Sequence, residues 1–417
     1  MLQDIVPGCE DKLLESSCNG YIGFDPTADS LHIGSLVQIL ILMHFQNCGH
    51  KPIVLIGGAT GMIGDPSGKS AERNLLSKKD LNNNIKGIQA QLSKFLNFNS
   101  NEKNSAIICN NNDWFKSINL IDFIRDAGKH LTVNYMTAKD SVKKRLSSDS
   151  KEGMSFTEFT YQLIQAYDFY HLFTEKNCNI QMGGSDQWGN ITSGSELIRK
   201  KTGNKVFALT CPLITKTDGT KFGKTEDGNV WLDRKRTSPY KFYQYWLNIS
   251  DEDAIRYVKI FTFYNEIEIN KFIETHKEEP HLRSLQKVIA NYLTELVHSK
   301  EDLEKVIVAS NILFGKSTSE DLSQLDEETF LSVFDGVPKA NLKLDYLKNN
   351  PHIHELLSEV GFLSSKSEIN RAIKENSISI NKEKIDSSYV FLKNNLVCGK
   401  YFLAQRGKKN YFLISFS

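Results

Sequence analysis

Positions 25 to 35 contain several polar residues whose side chains could bind phosphate. Thr27 and His32 carry hydrogen-bond donors, and Gly34 would let a ligand approach the backbone closely. The free N–H groups and the positive dipole end at the start of a helix also favour phosphate. If a helix begins here, the segment predicts a nucleotide-binding turn. The alternative is that Ser30 caps the helix and His32 is an ordinary surface residue.

A glycine-rich stretch from Gly57 to Ser70 is a second candidate, because it ends in Gly-Lys-Ser. A phosphate-cradling P-loop needs a glycine five residues before the glycine of Gly-Lys, and that position is Ile63. The order of the glycines also differs from a dinucleotide fingerprint. What remains is a loop beside a pocket, in which the carboxylate of Asp65 faces a cation such as an ammonium group. The alternative is a surface loop with Asp65 as a turn residue.

A helix predicted from Thr157 to Phe173 places Tyr161, Gln165 and Asp168 on one face, at positions i, i+4 and i+7. These side chains could bind an α-amino group, and Asp168 with Tyr21 could hydrogen-bond a phenolic hydroxyl. The other positions are mostly apolar, which predicts a largely buried helix whose polar side chains need partners. The alternative is that this face is exposed to solvent.

Two further stretches carry ligand chemistry. Gly183-Gly184 follows a predicted strand, and Asp186 behind it is placed to accept hydrogen bonds from ribose hydroxyls. Residues 216–225 predict a mobile basic loop, in which Lys221 and Lys224 could stabilise the charge of a leaving pyrophosphate. The alternative is a solvated charged loop.

The elements that must position these residues alternate between strands and helices. Short apolar strands are predicted at 21–24, 52–56, 105–109 and 179–182, and helices at 33–45, 157–173, 251–261 and 282–298. Strands buried on both faces and separated by helices predict an α/β fold with a Rossmann-like, doubly wound parallel sheet. Such sheets bind ligands at the carboxyl ends of their strands.

The length of 417 residues predicts several domains. We expect a Rossmann-like catalytic domain at 1–212, a mobile loop and linker at 213–240, an α-helical domain at 241–316, a polar linker at 317–350 and a small α+β domain at 351–417. The last segment has ten Lys and Arg against six Asp and Glu, which suits RNA phosphates.

Overall composition excludes several classes of protein. A net charge of +1 with 24% charged residues describes an ordinary globular protein rather than a basic coat for nucleic acid. The seven cysteines form no Cys-x-x-Cys pair, which argues against a structural zinc site and a disulfide framework and predicts reduced thiols in the cytoplasm. The longest apolar run, 36–45, is too short to cross a bilayer, so we expect no membrane association.

Taken in order, five motifs resemble those of bacterial-type tyrosyl-tRNA synthetases, a family of class I aminoacyl-tRNA synthetases. They are YIGFDPTADSLHIG at 21–34, GGATGMIGDPSGK at 57–69, YQLIQAYD at 161–168, GGSDQWGN at 183–190 and TKFGKT at 220–225. Within them, His32-Ile-Gly-Ser35 stands for the HIGH signature and Lys221-Phe-Gly-Lys224-Thr225 for the KMSKS signature. Ser35 departs from the family pattern, which has a second histidine there.

The resemblance implies a reaction, its substrates and an assembly. The chain would attach L-tyrosine to tRNA(Tyr) through a tyrosyl-adenylate, consuming ATP and releasing pyrophosphate and AMP. Mg²⁺ would accompany ATP, and no metal bound by the protein is implied. The family is homodimeric, so a homodimer is implied as well.

The resemblance also assigns the site residues. Tyrosine would be bound by Tyr21, Asp65, Tyr161, Gln165 and Asp168, and ATP by Asp25, Gly34, Ser35, Asp186, Gln187 and Lys224. The catalytic residues would be Thr27, His32, Lys221, Lys224 and Thr225. The C-terminal segment resembles a small RNA-binding module, with Lys366, Arg371, Lys374, Lys382, Arg406, Lys408 and Lys409 as its RNA-binding residues.

Two rival hypotheses are kept. A tryptophanyl-tRNA synthetase would bind an indole, whereas Asp168 beside Tyr21 suits a phenol better. A non-enzymatic RNA-binding protein could share the fold without the pocket residues and lysines that are present here. A P-loop kinase fails on the glycine spacing, so Lys69→Ala is expected to leave activity largely intact.

Overall fold

The chain forms two units. Unit 1 comprises residues 1–233 with 259–263, and unit 2 comprises 234–258 with 264–417. The computed structural model describes residues 2–67, 76–146, 153–217, 219, 222–225, 228–314, 319–349, 352–363, 365–386, 389, 393–407 and 410–417.

A six-stranded sheet is the centre of unit 1. Five strands are parallel in the order β6-β5-β2-β3-β4, and β1 joins β6 antiparallel at the edge. The strands are β1 (Asp4–Ile5), β2 (Asn19–Phe24), β3 (Lys51–Ile56), β4 (Ile107–Asn110), β5 (Cys178–Gly184) and β6 (Phe207–Cys211), and a separate hairpin contains β7 (Lys224–Thr225) and β8 (Gly228–Asn229). The four predicted strands are confirmed as β2 to β5, whereas β1 and β6 were not predicted.

The strand order reverses between β2 and β5, because the chain proceeds outward from β2 through β3 to β4 and from β5 to β6 on the other side. A crevice forms at such a switch point, outside the carboxyl ends of the two strands. The predicted ligand residue Asp25 follows β2 directly, and Asp186 is the second residue after β5. The predicted doubly wound parallel sheet is confirmed.

Helices connect and cover the strands of this sheet. They are α1 (Cys9–Glu15), α2 (Ile33–Asn47), α3 (Lys78–Leu92), α4 (Asn112–Phe115), α5 (Leu120–Asp126), α6 (Val133–Thr137), α7 (Asp140–Leu146), α8 (Phe156–Lys176) and α9 (Trp188–Thr202). Helix α8 starts at a capping box, in which the Ser155 side chain and the Glu158 side chain each pair with the other residue's backbone N–H. It ends at Asn177, whose left-handed backbone terminates helices.

Unit 2 begins with helices that pack into a bundle. They are α10 (Pro239–Leu247), α11 (Asp251–Phe261), α12 (Glu266–Glu278), α13 (Ser284–Val297), α14 (Lys300–Phe314), α15 (Ser319–Ser323) and α16 (Glu327–Val333). Large apolar side chains such as Trp246, Phe242 and Leu293 are fully buried there. The predicted helical region is confirmed, and the predicted helix over 251–261 has the observed bounds.

A five-stranded sheet closes unit 2, in the order β11-β10-β12-β13-β9. Its strands are β9 (Lys339–Leu342), β10 (Ile378–Ile380), β11 (Glu383–Lys384), β12 (Tyr401–Arg406) and β13 (Asn410–Phe416), and α17 (Ile353–Glu359) and α18 (Lys366–Lys374) accompany them. An apolar core that includes Leu356, Ile373 and Phe402 lies between these helices and the sheet. The predicted small α+β fold at the C-terminus is confirmed.

The range 317–350, predicted to be a linker, is more ordered than its polar composition suggested. It contains α15, α16 and β9, and β9 pairs with β13 in parallel over four residues. Phe330 and Phe334 in this range are fully buried. The segment is thus part of unit 2, and the C-terminal sheet takes a strand from before residue 351.

Among the described residues, no helix combines the length and the apolar character needed to cross a membrane.

Candidate active site

A cavity of about 670 Å³ opens in unit 1 at the carboxyl ends of β2 and β5. Its lining includes every predicted pocket residue before position 200. These are Tyr21, Asp25, Thr27, His32, Gly34, Ser35, Asp65, Tyr161, Gln165, Asp168, Asp186 and Gln187. Residues that are far apart in the sequence are therefore brought together as the sequence predicted.

Tyr21 and Asp168 are the most deeply buried polar side chains of this cavity, each with about 1% of its surface exposed. The Tyr21 hydroxyl has no hydrogen-bond partner among the described residues. Burial, reinforced by the nearby Asp168 carboxylate, raises the pKa of Tyr21 well above its usual value. A neutral hydroxyl that lines a cavity and lacks a partner is available to hydrogen-bond a polar ligand atom.

Two side-chain N–H groups hold the Asp168 carboxylate. Trp114 Nε1 donates to Oδ1 at 2.9 Å, and Asn111 Nδ2 donates to Oδ2 at 3.0 Å. Burial raises the pKa of Asp168 to about 8, although both hydrogen bonds oppose this shift. The fixed donors orient the carboxylate within the pocket.

Asn111 continues this network toward Asp25. Its Nδ2 also donates to Thr60 Oγ1 at 3.1 Å, and the Thr60 hydroxyl donates to Asp25 Oδ1 at 2.6 Å. The Tyr161 hydroxyl donates to the other oxygen of Asp25 at 2.8 Å. Burial, followed by the neighbouring carboxylate of Asp25, raises the pKa of Tyr161 well above its usual value. Polar residues thus link the carboxylates of Asp168 and Asp25 in an unbroken chain.

Three members of this network, Asn111, Trp114 and Thr60, were not predicted from the sequence. Thr60 lies just after β3, and Asn111 lies just after β4. A polar residue that directly follows a parallel strand is a signal for Asn111, whereas Thr60 and Trp114 carry no such signal. The alternative of a solvent-exposed face on α8 is wrong, because Tyr161 and Asp168 are both buried.

Asp65 lies in a second polar cluster. Its Oδ1 accepts from the Ser67 N–H at 2.9 Å, and its Oδ2 accepts from Gln187 Nε2 at 2.7 Å. Burial, followed by the charge of Asp65, raises the pKa of Asp186. Gln165 Oε1 is buried and has no partner among the described residues. The bond from Ser67 to Asp65 closes a short turn, and Asp65 also lines the cavity.

The N-cap of α2 is His32, not Ser30. His32 Nδ1 accepts from the Gly34 N–H at 3.0 Å, and Ser30 bonds instead to the Leu31 carbonyl and to Gln91. Because Nδ1 is the acceptor, the proton of a neutral imidazole must lie on Nε2. A Cβ atom at residue 34 would lie 2.7 Å from His32 Cε1, so a glycine is needed to make room for this cap.

The segment before residue 233 pairs with the start of α2 through its backbone. The Ile33 N–H donates to the Val230 carbonyl at 3.0 Å, and the Leu232 N–H donates to the Leu31 carbonyl at 2.8 Å. Gly223 has a φ of +81°, and an added Cβ would lie 3.0 Å from Ile33. Positive φ and close packing together favour glycine at this position.

The predicted lysine loop is described only in part. Lys221 lies outside the described residues. Lys224 and Thr225 form β7, and their side chains are not among those described. Their predicted contacts with a leaving group remain predictions.

The described lining of the cavity is acidic. Asp25, Asp65, Asp168 and Asp186 contribute carboxyl groups, and no described lining residue is Lys or Arg. Within the described ranges, no cluster of three or more His, Cys, Asp and Glu side chains is arranged to hold a metal ion. An anionic ligand would therefore need cations that come from outside this lining.

The predicted RNA-binding residues lie in unit 2. Lys366, Arg371 and Lys374 are exposed on α18. Arg406 pairs with Glu368 at 2.7 Å. Lys382 is half-buried, and its ammonium donates to the Tyr411 hydroxyl at 2.7 Å.

Burial lowers the pKa of Lys382, so its position differs from that of an exposed phosphate-binding lysine. Lys408 and Lys409 lie outside the described residues.

Two family models match the chain. The model for class I tRNA synthetases (W and Y) matches residues 15–315, and the model for the C-terminal domain of tyrosine–tRNA ligases of the SYY type matches residues 329–414. The second match begins 22 residues before 351, in agreement with the placement of β9 in the C-terminal sheet.

Relatives and solved structures agree with these models. The tyrosine–tRNA ligase of Flavobacterium johnsoniae is 59% identical and matches 99% of this chain and 96% of its own length, and that of Bacteroides thetaiotaomicron is 56% identical over 99% and 97%. A C-terminally truncated mitochondrial tyrosyl-tRNA synthetase of Aspergillus nidulans has a TM-score of 0.66 at 30% identity, covering 75% of this chain and 91% of its own. The chain therefore belongs to the class I tRNA synthetases, in the family of bacterial tyrosine–tRNA ligases.

Proposed function

We propose that the chain attaches L-tyrosine to tRNA(Tyr) in two steps, through a tyrosyl-adenylate. The observation that carries the proposal is the pair of buried groups, the Tyr21 hydroxyl and the Asp168 carboxylate, in one cavity. A phenolic hydroxyl between them could accept from Tyr21 and donate to Asp168. The indole N–H of tryptophan is a donor only, so it would leave the Tyr21 donor unpaired.

The α-amino group of tyrosine would be held by Asp65, Tyr161 and Gln165. The Asp65 carboxylate and the Gln165 carbonyl are acceptors in the same cavity, and an ammonium group offers three donors. The unpartnered Oε1 of Gln165 supports this role. Tyr161 already donates to Asp25, so its oxygen is available as an acceptor.

Asp25, Gly34, Ser35, Asp186 and Gln187 would contact ATP. Asp186 follows β5 at the cavity and could accept from the ribose hydroxyls. Ser35, which replaces the second histidine of the signature, keeps a hydroxyl beside the start of α2.

Cations are required for the triphosphate, because the described lining supplies four carboxyl groups and no Lys or Arg. We assign this role to the Mg²⁺ that accompanies ATP and to Lys221, Lys224 and Thr225. Thr27 and the Nε2–H of His32 would donate to phosphate oxygens. Donors placed where negative charge develops lower the barrier without reorganising in the reaction.

The first step forms a bond between a carboxylate oxygen of tyrosine and the α-phosphorus of ATP. The bond from this phosphorus to the bridging oxygen breaks, and pyrophosphate leaves with the electron pair. The nucleophile is already ionised, so no general base is needed, and positioning contributes most of the acceleration. In the second step the oxygen of a terminal hydroxyl of tRNA attacks the carbonyl carbon of the adenylate and forms an ester. The bond from this carbon to the phosphate oxygen breaks, AMP leaves with the electron pair, and the hydroxyl proton passes to the departing phosphate or to solvent.

We also propose that the chain is a homodimer. Helices α5 and α6 expose several large apolar side chains in unit 1, and such patches mark interaction sites. They are Leu120, Ile121, Ile124 and Val133, each with more than half of its surface exposed. Sedimentation of the purified chain should give twice the monomer mass of 47.4 kDa.

Unit 2 would bind tRNA with its C-terminal sheet and α18. Lys366, Arg371 and Lys374 are exposed for this purpose, whereas Lys382 and Arg406 have partners within the unit. We place this activity in the cytoplasm, where tRNA is charged.

Amino-acid-dependent exchange of pyrophosphate into ATP, followed by charging of tRNA with labelled tyrosine, tests the proposal. Exchange with tyrosine and charging of tRNA are expected, with little exchange for phenylalanine or tryptophan. Exchange with tryptophan but not tyrosine would contradict it. An Asp168→Ala protein that charges tRNA as well as the unmodified chain would show that the pocket has been assigned wrongly.

A further inference from the structure

The two donors to Asp168 are held in different ways. Asn111 Oδ1 accepts from the Ala59 N–H at 2.6 Å, and its Nδ2 also reaches Thr60, so hydrogen bonds at both side-chain atoms fix this amide. Trp114 has one polar side-chain atom, Nε1, and that atom is already used on Asp168. The orientation of the indole must therefore depend on what packs against its faces.

His171 packs against one of those faces. The imidazole and indole rings are stacked, with centroids 4.3 Å apart and an interplanar angle of 21°. His171 lies three residues after Asp168 on α8, so both side chains project from the same side of the helix. Helix α8 thus contacts Trp114 twice, with a carboxylate at the indole N–H and an imidazole on the ring face.

We propose that His171 is a positioning residue for tyrosine recognition, which stacks on Trp114 and so keeps the indole N–H directed at Asp168. The inference rests on the proposed function, because it assigns the consequence to the tyrosine substrate. His171 is not among the described residues that line the cavity, so it acts through Trp114 and not by contact with the ligand.

Loss of the stacking between His171 and Trp114 should weaken binding of the tyrosine phenol and change little else. Trp114 is also buried in the apolar core, so loss of the imidazole would widen the range of indole orientations without freeing the ring. The indole N–H would then donate less often to Asp168 Oδ1, and a buried carboxylate with fewer donors is less well oriented. The hydrogen bond from the substrate phenol to Asp168 would then be weaker. Phenylalanine has no hydroxyl at this point, so its weak binding should not fall further, and discrimination between the two amino acids should narrow.

Steady-state pyrophosphate exchange with the full-length chain provides the test. For His171→Ala we expect the KM for tyrosine to rise about three- to tenfold, the range that aromatic stacking pairs contribute, with the KM for ATP and kcat unchanged. His171→Phe should restore the KM because a phenyl ring can stack in the same place. Thr174→Ala, an exposed change one turn further along α8, is the matched control and should have no effect.

A second measurement separates positioning from a general loss of structure. The chain has four tryptophans, and the indole ¹⁵N–¹H signal of Trp114 can be assigned with Trp114→Phe. In His171→Ala this signal should lose its protection from hydrogen exchange while the other three keep theirs, and in His171→Phe it should stay protected. His171→Leu replaces the alanine variant if the latter does not fold, because leucine fills the space without an aromatic face.

An unchanged tyrosine KM in His171→Ala would overturn the inference, as would a His171→Phe protein as defective as His171→Ala. If the unmodified chain exchanges pyrophosphate with no tyrosine, the proposed function itself fails. In that case, hydrogen exchange at the Trp114 indole N–H would still show whether His171 positions the indole.

Discussion

The two ends of the cavity in unit 1 are built by different means. At the end that holds Tyr21 and Asp168, the side chains of Asn111 and of Trp114 on α4 donate to Asp168 on α8, and the Tyr21 hydroxyl on β2 is left without a described partner. At the end that holds His32, backbone N–H groups at the start of α2 and the backbone of the segment before residue 233 meet. The first end is a rigid set of acceptors and donors for one functional group. At the second end the N–H groups of Ile33, Gly34 and Ser35 are already bonded to Val230 and His32, so donors to phosphate oxygens would have to come from side chains such as those of Thr27 and His32.

This difference explains how one cavity could separate selectivity from catalysis. A site that hydrogen-bonds a substrate hydroxyl rejects an analogue that lacks it, since its buried groups would stay unpaired. Tyrosyl-tRNA synthetases are themselves the standard example of this effect, with a known preference for tyrosine over phenylalanine of about 10⁵ without editing. Interactions at the phosphate end gain strength only as charge develops on the phosphates. Changes at the first end should therefore act on tyrosine, and changes at the second on the rate.

The largest effect is expected for Asp168→Asn. The change keeps the shape of the side chain but replaces the carboxyl group that would pair with the phenol by an amide, so kcat/KM for tyrosine should fall by about 100- to 1000-fold. The KM for ATP should change little because Asp168 bonds to Trp114 and Asn111, and neither residue is assigned to ATP. Pyrophosphate exchange at varied tyrosine and varied ATP measures both. Equal losses for the two substrates would contradict the separation of the two ends.

A smaller effect is expected at the phosphate end. His32→Ala removes an Nε2–H donor and should lower kcat for adenylate formation by about 10- to 100-fold, the value of a hydrogen bond to a charged group, with the KM for tyrosine unchanged. It also removes the helix cap. His32→Asn keeps a capping oxygen, so it should retain the thermal stability while the rate stays low. Full activity in His32→Asn would show that His32 serves only as a cap.

The next prediction concerns stability at the phenol end. The pKa of Asp168 is raised to about 8 in the folded chain, from an ordinary value of 3.8. Between these values the folded state keeps a proton that the unfolded state releases, so this group destabilises the fold increasingly as pH rises from about 4 to 8. Asp168→Asn removes this titrating carboxyl group. Asparagine has one acceptor oxygen for the two N–H donors of Trp114 and Asn111, a cost that does not depend on pH, so the Tm of the variant relative to that of the unmodified chain should rise from pH 4 to pH 8.

Calorimetry at pH 5 and pH 8 on both proteins provides the comparison. Groups that do not interact with Asp168 titrate alike in the two proteins, so their contributions cancel in the difference. A Tm difference that does not change with pH would show that Asp168 is ionised in the folded state across this range.

Much of the phenol end could be predicted from the sequence because its main residues follow local rules. Tyr161, Gln165 and Asp168 share one face of a helix by spacing alone, and Tyr21 lies on a recognisable strand. Asn111 and Trp114 could not be predicted in the same way. They contact Asp168 across 57 and 54 residues, and no local pattern reveals a partner at that distance.

The other differences between the predicted and the observed fold also arise from pairing between residues that are far apart in the sequence. Strand β9 is stabilised by β13, which lies some 70 residues later, so its own polar sequence resembles a linker. Strand β1 has two residues and exists through its pairing with β6. One hypothesis assigns the cap of α2 to Ser30, because serine is a common cap. In the structure the Ser30 hydroxyl instead accepts hydrogen bonds from the Gln91 side chain and the Asp233 N–H.

The smallest effect is expected for Tyr21→Phe, and it gives the sharpest test of the phenol end. In the structure the Tyr21 hydroxyl is buried and has no partner among the described residues, so its removal should cost no stability and could raise the Tm slightly. With tyrosine bound, the same hydroxyl would donate to the substrate phenol. The KM for tyrosine should therefore rise about three- to tenfold, the value of a neutral hydrogen bond, while kcat stays close to that of the unmodified chain. A clear fall in Tm without a change in KM would mean that this hydroxyl serves the fold and not the ligand, and the selectivity of the cavity would then depend on Asp168 and its two donors alone.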